Sequence, residues 1–364
     1  MRLTVVLEQC LAPVPGGTGR YSREIAAALA RTAGAGVAGV AGVSGVVAWH
    51  RDVTAATVPG VGGPTRFPLP RRALVAAWER GLGPRPAGDV VLAPTPLHPP
   101  PRRPPGTAAA APTVVVVHDA VPWTHPETLT PRGVAWHRAQ VARAGRDAAL
   151  VVVPTRAVAD ELGRHVALRT PVLVVGEGVS ADLAVPADAD ARAQRLALPE
   201  RYLLTVATLE PRKGLDVLLA ALALPSAPDL PLLCVGQGGW GGVQVDPGRA
   251  RRMGRVSDPD LAVLLDRATA VVVPSRAEGF GLPLLEAMAA GTPAITSDAP
   301  ALVEVGGGAA RTTPLEAGAL AEALAEVVGD DALRARMSAA GRARAAAYTW
   351  DGAAGLLWTA LRSV

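Results

Sequence analysis

The stretch PSRAEGFGLPLLEAMAAGTPAIT, residues 274–296, sets two carboxylates, Glu278 and Glu286, on either side of a Gly-Phe-Gly turn. The apolar run before it reads as a buried strand, Pro283 as a helix opener and Gly291 as a helix C-cap. The loop therefore brings Glu278 and the backbone N–H groups of Gly279, Phe280 and Gly281 to the carboxyl end of a strand, just ahead of Leu282. Glycine lets a ligand approach the backbone, and a helix N-terminus favours an anion such as phosphate. Glu286, a turn into the helix, would lie farther along the same ligand. Taken singly, Glu286 merely suits the helix dipole and Glu278 is a loop charge. A second chemical signal is EPRKG, residues 210–214, because Lys213 is the only lysine beside 35 arginines. A drift that turned nearly every cation into arginine left this one, a hint of a local requirement shared by the rare letters Tyr21, Phe280, Met288, Ile295 and Tyr348.

Such loops need strands to carry them. Short Val/Leu runs alternate with Ala/Leu/Arg stretches of helical spacing, the pattern of α/β architecture with parallel sheets. Strands are expected at LTVVL, VSGVVAW, DVVLA, TVVVVH, ALVVVP and PVLVVG, with helices near residues 21–31, 131–146 and 157–165. The Pro-rich run 94–113 is expected as a surface loop. A second series runs through YLLTVATL, PLLCVG, ATAVVVPS and TPAITS. The chain thus divides into an N-terminal Rossmann-like domain (1–180), a polar linker (181–199), a second Rossmann-like domain (200–346) and a terminal helix (347–364) expected to pack back on the first domain. In open α/β sheets ligands sit at the carboxyl ends of strands, so a cleft between two such domains is the expected site.

Cys10 and Cys234 lie in apolar strand-like runs and offer neither a disulfide framework nor a metal pattern, which points to a reducing, cytoplasmic setting. Glu8 interrupts the first apolar run, so the N-terminus reads as a strand and not as a signal peptide. Residues 32–49 lack charge but are Gly-rich, and are expected as a helix end, a loop and a strand rather than a membrane span. A net charge of +4 suits an anionic substrate or lipid surface, while basic clusters with interleaved aromatics are absent, which argues against nucleic acid. The stretch 68–86, with Arg71, Arg72, Leu74 and Trp78, could touch a membrane surface, although a helix packing Leu74, Val75 and Trp78 on a core is the commoner use of such a stripe.

EGFGLPLLE resembles the Glu-x7-Glu motif of glycosyltransferase family 4, the large GT-B group of retaining sugar transferases. PGGTGRYSREIAAAL, VHDAVPWTHPETLTP, VATLEPRKGLDVLLAAL, GRVSDPDLAVLLDRA and AYTWDGAAGLLWTAL extend the likeness in order along nearly the whole chain, with a flavour of its bacterial mannosyltransferase branch. The resemblance implies a GT-B fold and a nucleotide diphosphate sugar as donor, GDP-mannose favoured and a UDP-sugar possible, with no cofactor. Glu278 would then contact the donor sugar, Glu286 the ribose, Arg212 and Lys213 the diphosphate. Cations preorganised there would stabilise the charge that builds on the departing diphosphate. Gly16 and Gly17, expected in a strand-to-helix loop, would approach the donor. His118, at the end of TVVVVH, resembles the family's histidine near the donor sugar. Tyr21 and Asp119 are expected on the acceptor side, and Arg255 of GRVS at the nucleotide base. The acceptor would be a glycan or a lipid-linked hydroxyl, met in the cytoplasm or at the inner face of the membrane.

Three features depart from that pattern or compete with it. VVGEGVS, residues 174–180, replaces the usual Asn-Gly turn before the linker, in keeping with the Asn-free composition. DADAR, residues 188–192, contains Asp-x-Asp but lies in the polar linker, so no metal site is expected there. GQGGWG, residues 236–241, spells a dinucleotide fingerprint, but the sequence after it is a poor helix and it reads as a glycine loop. An epimerase of the same fold and a non-catalytic sugar-nucleotide binding protein remain alternatives to a transferase.

Overall fold

The computed structural model describes residues 1–34, 39–100, 111–238 and 249–364. The Pro-rich loop expected at 94–113 and the glycine loop expected at 236–241 therefore fall partly outside the described residues, as does part of the 32–49 stretch. The chain resolves into two compact units, one of Met1–Glu177 with Thr349–Val364, the other of Gly178–Tyr348.

The first unit holds β1 (Arg2–Val6), α1 (Gly16–Gly34), β2 (Gly42–Trp49), β3 (Gly62–Pro70), α2 (Arg71–Glu79), β4 (Val90–Ala93) and β5 (Thr113–Val116). It continues with α3 (Val121–Thr124), α4 (Pro131–Asp147), β6 (Leu150–Val153), α5 (Arg156–His165) and β7 (Val172–Val174). Among the described residues its strands form one parallel sheet in the order β3-β2-β1-β4-β5-β6-β7. The central strands β4, β5 and β6 are buried at every position, as a parallel sheet covered on both faces requires, so they read as continuous Val/Leu runs. On α1 the buried Tyr21, Ile25, Ala28 and Leu29 recur at helical spacing and make the inward stripe. Thr130 and Thr155 cap α4 and α5 by accepting from the N–H groups of Gly133 and Val158. In α2, Leu74 and Trp78 are buried and the Trp78 ring meets Phe67 of β3 edge to face, so this stripe packs on the core.

The second unit holds α6 (Ala189–Arg195), β8 (Leu203–Val206), α7 (Leu215–Leu222), β9 (Leu232–Val235), β10 (Ala250–Gly254), α8 (Asp258–Arg267) and β11 (Ala270–Val273). After these come α9 (Leu282–Ala290), β12 (Ala294–Ser297), α10 (Pro300–Gly306), β13 (Arg311–Thr313), α11 (Ala317–Gly329) and α12 (Asp331–Ala345). Its parallel sheet runs β10-β9-β8-β11-β12-β13. The polar stretch read as a linker carries α6, whose Arg192 and Arg195 both reach Asp260 of α8, at 2.8 and 2.6 Å. Asp188 and Asp190 of DADAR are held by Arg192 and Arg267.

The last helix, α13 (Trp350–Leu361), returns to the first unit. It packs along α1: Trp350 lies against Tyr21, Trp358 Nε1 donates to Thr32 Oγ1 at 2.9 Å and Asp351 pairs with Arg31. Among the described residues no helix is long and apolar enough to cross a membrane.

Candidate active site

In the second sheet the strand order reverses between β8 and β11, neighbours that pair Leu203 with Ala270 and Leu204 with Val271. Loops leaving the carboxyl ends of two such strands diverge and open a crevice, the usual ligand site of this architecture. After β8 a short turn, Pro211–Lys213, leads through Gly214 into α7. After β11 the segment 274–281 leads into α9.

The two loops are tied together. Arg276 N–H donates to the Arg212 carbonyl at 2.8 Å, and the Arg276 guanidinium bonds the Pro211 carbonyl and grips Asp216 with both nitrogens. Gly214 permits the close crossing: its φ is +65°, and a Cβ there would stand 1.8 Å from the Pro274 carbonyl oxygen. Gly281, at φ +96°, caps α9 where a Cβ would strike Leu302.

Onto this frame the sequence places Arg212, Lys213 and Glu278 together. Lys213 Nζ donates to Glu278 Oε1 at 2.7 Å, Ser275 Oγ donates to the same oxygen at 2.7 Å, and Arg212 Nη1 reaches Glu278 Oε2 at 3.3 Å and the Ala277 carbonyl at 3.0 Å. Arg212 also lies 3.5 Å from Glu210, which Thr208 bonds in turn. Glu278 has only 8% of its side chain exposed. Burial alone would raise its pKa, but the charges of Lys213 and Arg212 and the hydrogen bonds from Lys213 and Ser275 outweigh it and bring it down to about 2. Burial pushes the Lys213 ammonium below its ordinary range, with Glu278 opposing. Two cations and two carboxylates thus offset one another where the β8 and β11 loops meet, and an anionic ligand there would share the donors of Lys213 and Arg212 with Glu278.

Phe280 is 4% exposed, and its ring meets Tyr348 at 5.5 Å, edge to face. The ring thus packs within the second unit, while the group of Phe280 expected to meet a ligand is its backbone N–H. Leu282 is likewise buried. Glu286, on the second turn of α9, is 5% exposed, a buried carboxylate of the kind polypeptide chains retain for a specific partner. Arg255, just beyond β10, is exposed. Gly236 does pass hard against β8, where a Cβ would stand 1.8 Å from the Ala207 carbonyl oxygen.

The remaining expected residues belong to the first unit. Gly16 and Gly17 are not in a loop; they are the opening residues of α1, Gly16 at φ +60°. His118 follows β5 and donates from Nε2 to the Pro94 carbonyl at 2.8 Å. Its Nδ1 faces Glu177 Oε1 at 3.6 Å, and the Tyr21 ring stands perpendicular to the imidazole at 4.7 Å. Tyr21 is 1% exposed; rather than reaching out to an acceptor, it packs behind His118. Asp119 accepts from the Val121 N–H and so starts α3. Sequence reasoning did not pick out Glu177, Glu210 and Ser275. Glu210 stands in EPRKG and Ser275 beside the glutamate motif, whereas Glu177 was visible only as an unusual letter in VVGEGVS.

Residues 187–344 match the family described as Glycosyl transferases group 1. Those residues form a group 1 glycosyl transferase domain. The O-antigen chain mannosyltransferase B of Escherichia coli is 35% identical over 162 residues, 41% of this chain and 42% of that protein. The phosphatidyl-myo-inositol mannosyltransferase of Mycobacterium tuberculosis is 38% identical over 156 residues, 39% of this chain and 41% of that one. The matches thus span about two fifths of the length of these relatives. Over the entire chain the fold is similar to that of the Anabaena protein HepE in complex with UDP and glucose, with a TM-score of 0.74, 19% identity and full coverage of both chains. The architecture is GT-B, two Rossmann-like α/β domains with parallel sheets, and the glycosyl transferase domain contains Arg212, Lys213, Glu278 and Glu286.

Proposed function

We propose that the chain is a retaining hexosyltransferase that moves a sugar, mannose favoured, from a nucleoside diphosphate sugar to an acceptor hydroxyl without a metal ion. The observation that carries this reading is the convergence of Lys213 and Arg212 on Glu278 at the β8/β11 crevice. When the bond between the anomeric carbon and the phosphate oxygen breaks, negative charge grows on the diphosphate, and Lys213 and Arg212 stabilise it in place. Glu278, released from Lys213 as the phosphate arrives, turns to the sugar hydroxyls, and Glu286 holds the ribose. The acceptor hydroxyl attacks on the face the diphosphate leaves, and its proton passes to the leaving phosphate oxygen.

GDP-mannose is the favoured donor, in keeping with the two mannosyltransferases above; the UDP held by HepE supports a UDP-sugar as the other choice. The acceptor is a glycan or lipid-linked hydroxyl, reached in the cytoplasm or at a membrane face. Incubation with a panel of GDP- and UDP-sugars and candidate acceptors, followed by NMR assignment of the product anomer, tests the proposal. Transfer with retention is expected. An epimerised donor, or donor binding without turnover, would replace it with an epimerase or a binding protein.

A further inference from the structure

The first unit contains a buried charge arrangement of its own, apart from the β8/β11 loops. His118 has two acceptors, one on each ring nitrogen: the Pro94 carbonyl oxygen at 2.8 Å from Nε2 and the Glu177 carboxylate at 3.6 Å from Nδ1. A carbonyl oxygen can only accept, so Nε2 carries a proton. A neutral imidazole would then turn the lone pair of Nδ1 toward a carboxylate that is itself only 6% exposed, two acceptors face to face in a largely buried site. A second proton on Nδ1 removes that conflict and gives Glu177 its counterion.

We propose that Glu177 is a positioning residue that keeps His118 doubly protonated, so that the carboxyl end of β5 presents a fixed imidazolium and not a general base.

The surroundings agree. Tyr21 closes one side of the imidazole, backed by Trp350 of α13, and its buried hydroxyl has no hydrogen-bond partner among the described residues. Among the described residues Glu177 and Asp119 are the charged groups that act on the ring, and Tyr21 is an ionisable neighbour. Burial disfavours the charged ring, yet Glu177, the Pro94 carbonyl and Asp119 together hold its pKa above the ordinary 6.5. An amide in the place of Glu177 would supply no charge. The cation is therefore a property of this chain's Glu177. Any catalytic use of that cation rests on the transferase reading; the protonation state itself does not.

The test is NMR titration of the full chain carrying ¹⁵N-histidine, with His118→Gln used to assign the resonance, for wild type, Glu177→Gln and Glu177→Asn. The two substitutions guard against one variant failing to fold. His118 should titrate to the neutral form at a distinctly lower pH in either variant than in wild type. Initial rates as a function of pH form the second arm: the loss of turnover with rising pH should set in earlier for Glu177→Gln than for wild type, with little change in donor KM. An unchanged His118 titration in both variants would overturn the proposal even if the enzyme transfers sugar. The expected titrations without any transferase activity would leave it standing and sink the functional reading instead.

Discussion

Under the proposed reading, a diphosphate reaching the end of β8 competes with Glu278 for Lys213, whose Nζ lies 2.7 Å from the carboxylate. Lys213→Ala should keep the fold and lower turnover by ~10²–10³, the scale for removing one preorganised electrostatic donor; near-normal turnover at saturating donor would refute the role. The two glutamates should separate by ligand. Glu286→Ala should weaken both the free nucleoside diphosphate and the intact donor by about one to two decades, the worth of a hydrogen bond to a charged group. Glu278→Ala, which removes the carboxylate facing Lys213, should leave binding of the free diphosphate almost unaffected, and calorimetric titration of both variants with both ligands reads the difference. The Glu278 carboxyl also sets a pH dependence. Its pKa drops from 4.5 to about 2 on folding, so its contribution to stability is present above pH 4.5 and disappears as pH falls through 2. Thermal melts should show Glu278→Gln flatter than wild type across that window; parallel curves would contradict the ion pair. Lys213 was legible because it is the only lysine, and Phe280 because it is one of two phenylalanines. Rarity marks a requirement without saying which: for Phe280 it is packing under Tyr348. The pairing of Glu177 with His118 was not legible, because only the sheet brings the ends of β5 and β7 to the same edge.

At the scale of elements, the strands that could be read from the sequence are mostly interior ones. Those missed are β3, β10 and β13, all at sheet edges or ends. An edge strand has one neighbour and tolerates proline and charge: β3 is GGPTRFPLP and β10 is ARRMG. Neither shows the apolar run that betrays a buried parallel strand. The loop crossing, by contrast, leaves a glycine where nothing else fits. Gly214→Ala should cost roughly 2–4 kcal/mol, from a left-handed backbone and a collision with Pro274, and lower donor affinity with it. Gly355→Ala is the contrast: that glycine lies inside α13 with open space around it, and the substitution should stabilise by about 0.5–1 kcal/mol. Urea unfolding of both variants checks the pair, and similar shifts would mean the crossing is not tight.

Across the whole molecule, charge supply is the point at issue. Under the proposed reading Lys213, Arg212 and the N-terminus of α9 hold the diphosphate, while Asp188 and Asp190 pair with Arg192 and Arg267. Transfer should therefore survive exhaustive EDTA treatment; loss of activity with recovery on adding Mn²⁺ or Mg²⁺ would reverse that view. The return of α13 to the first unit matters on a different clock. A ribosome makes residues 1–177, then all of the second unit, and only then the helix whose Trp350 and Trp358 cover Tyr21 and Thr32 of α1. Nascent domains generally fold in order of synthesis, but here the first unit emerges with that flank of α1 bare and must wait for the second to be finished. Chains stalled before residue 349 should expose the first unit to protease while the second is already resistant, so the unit translated first is the last to become complete.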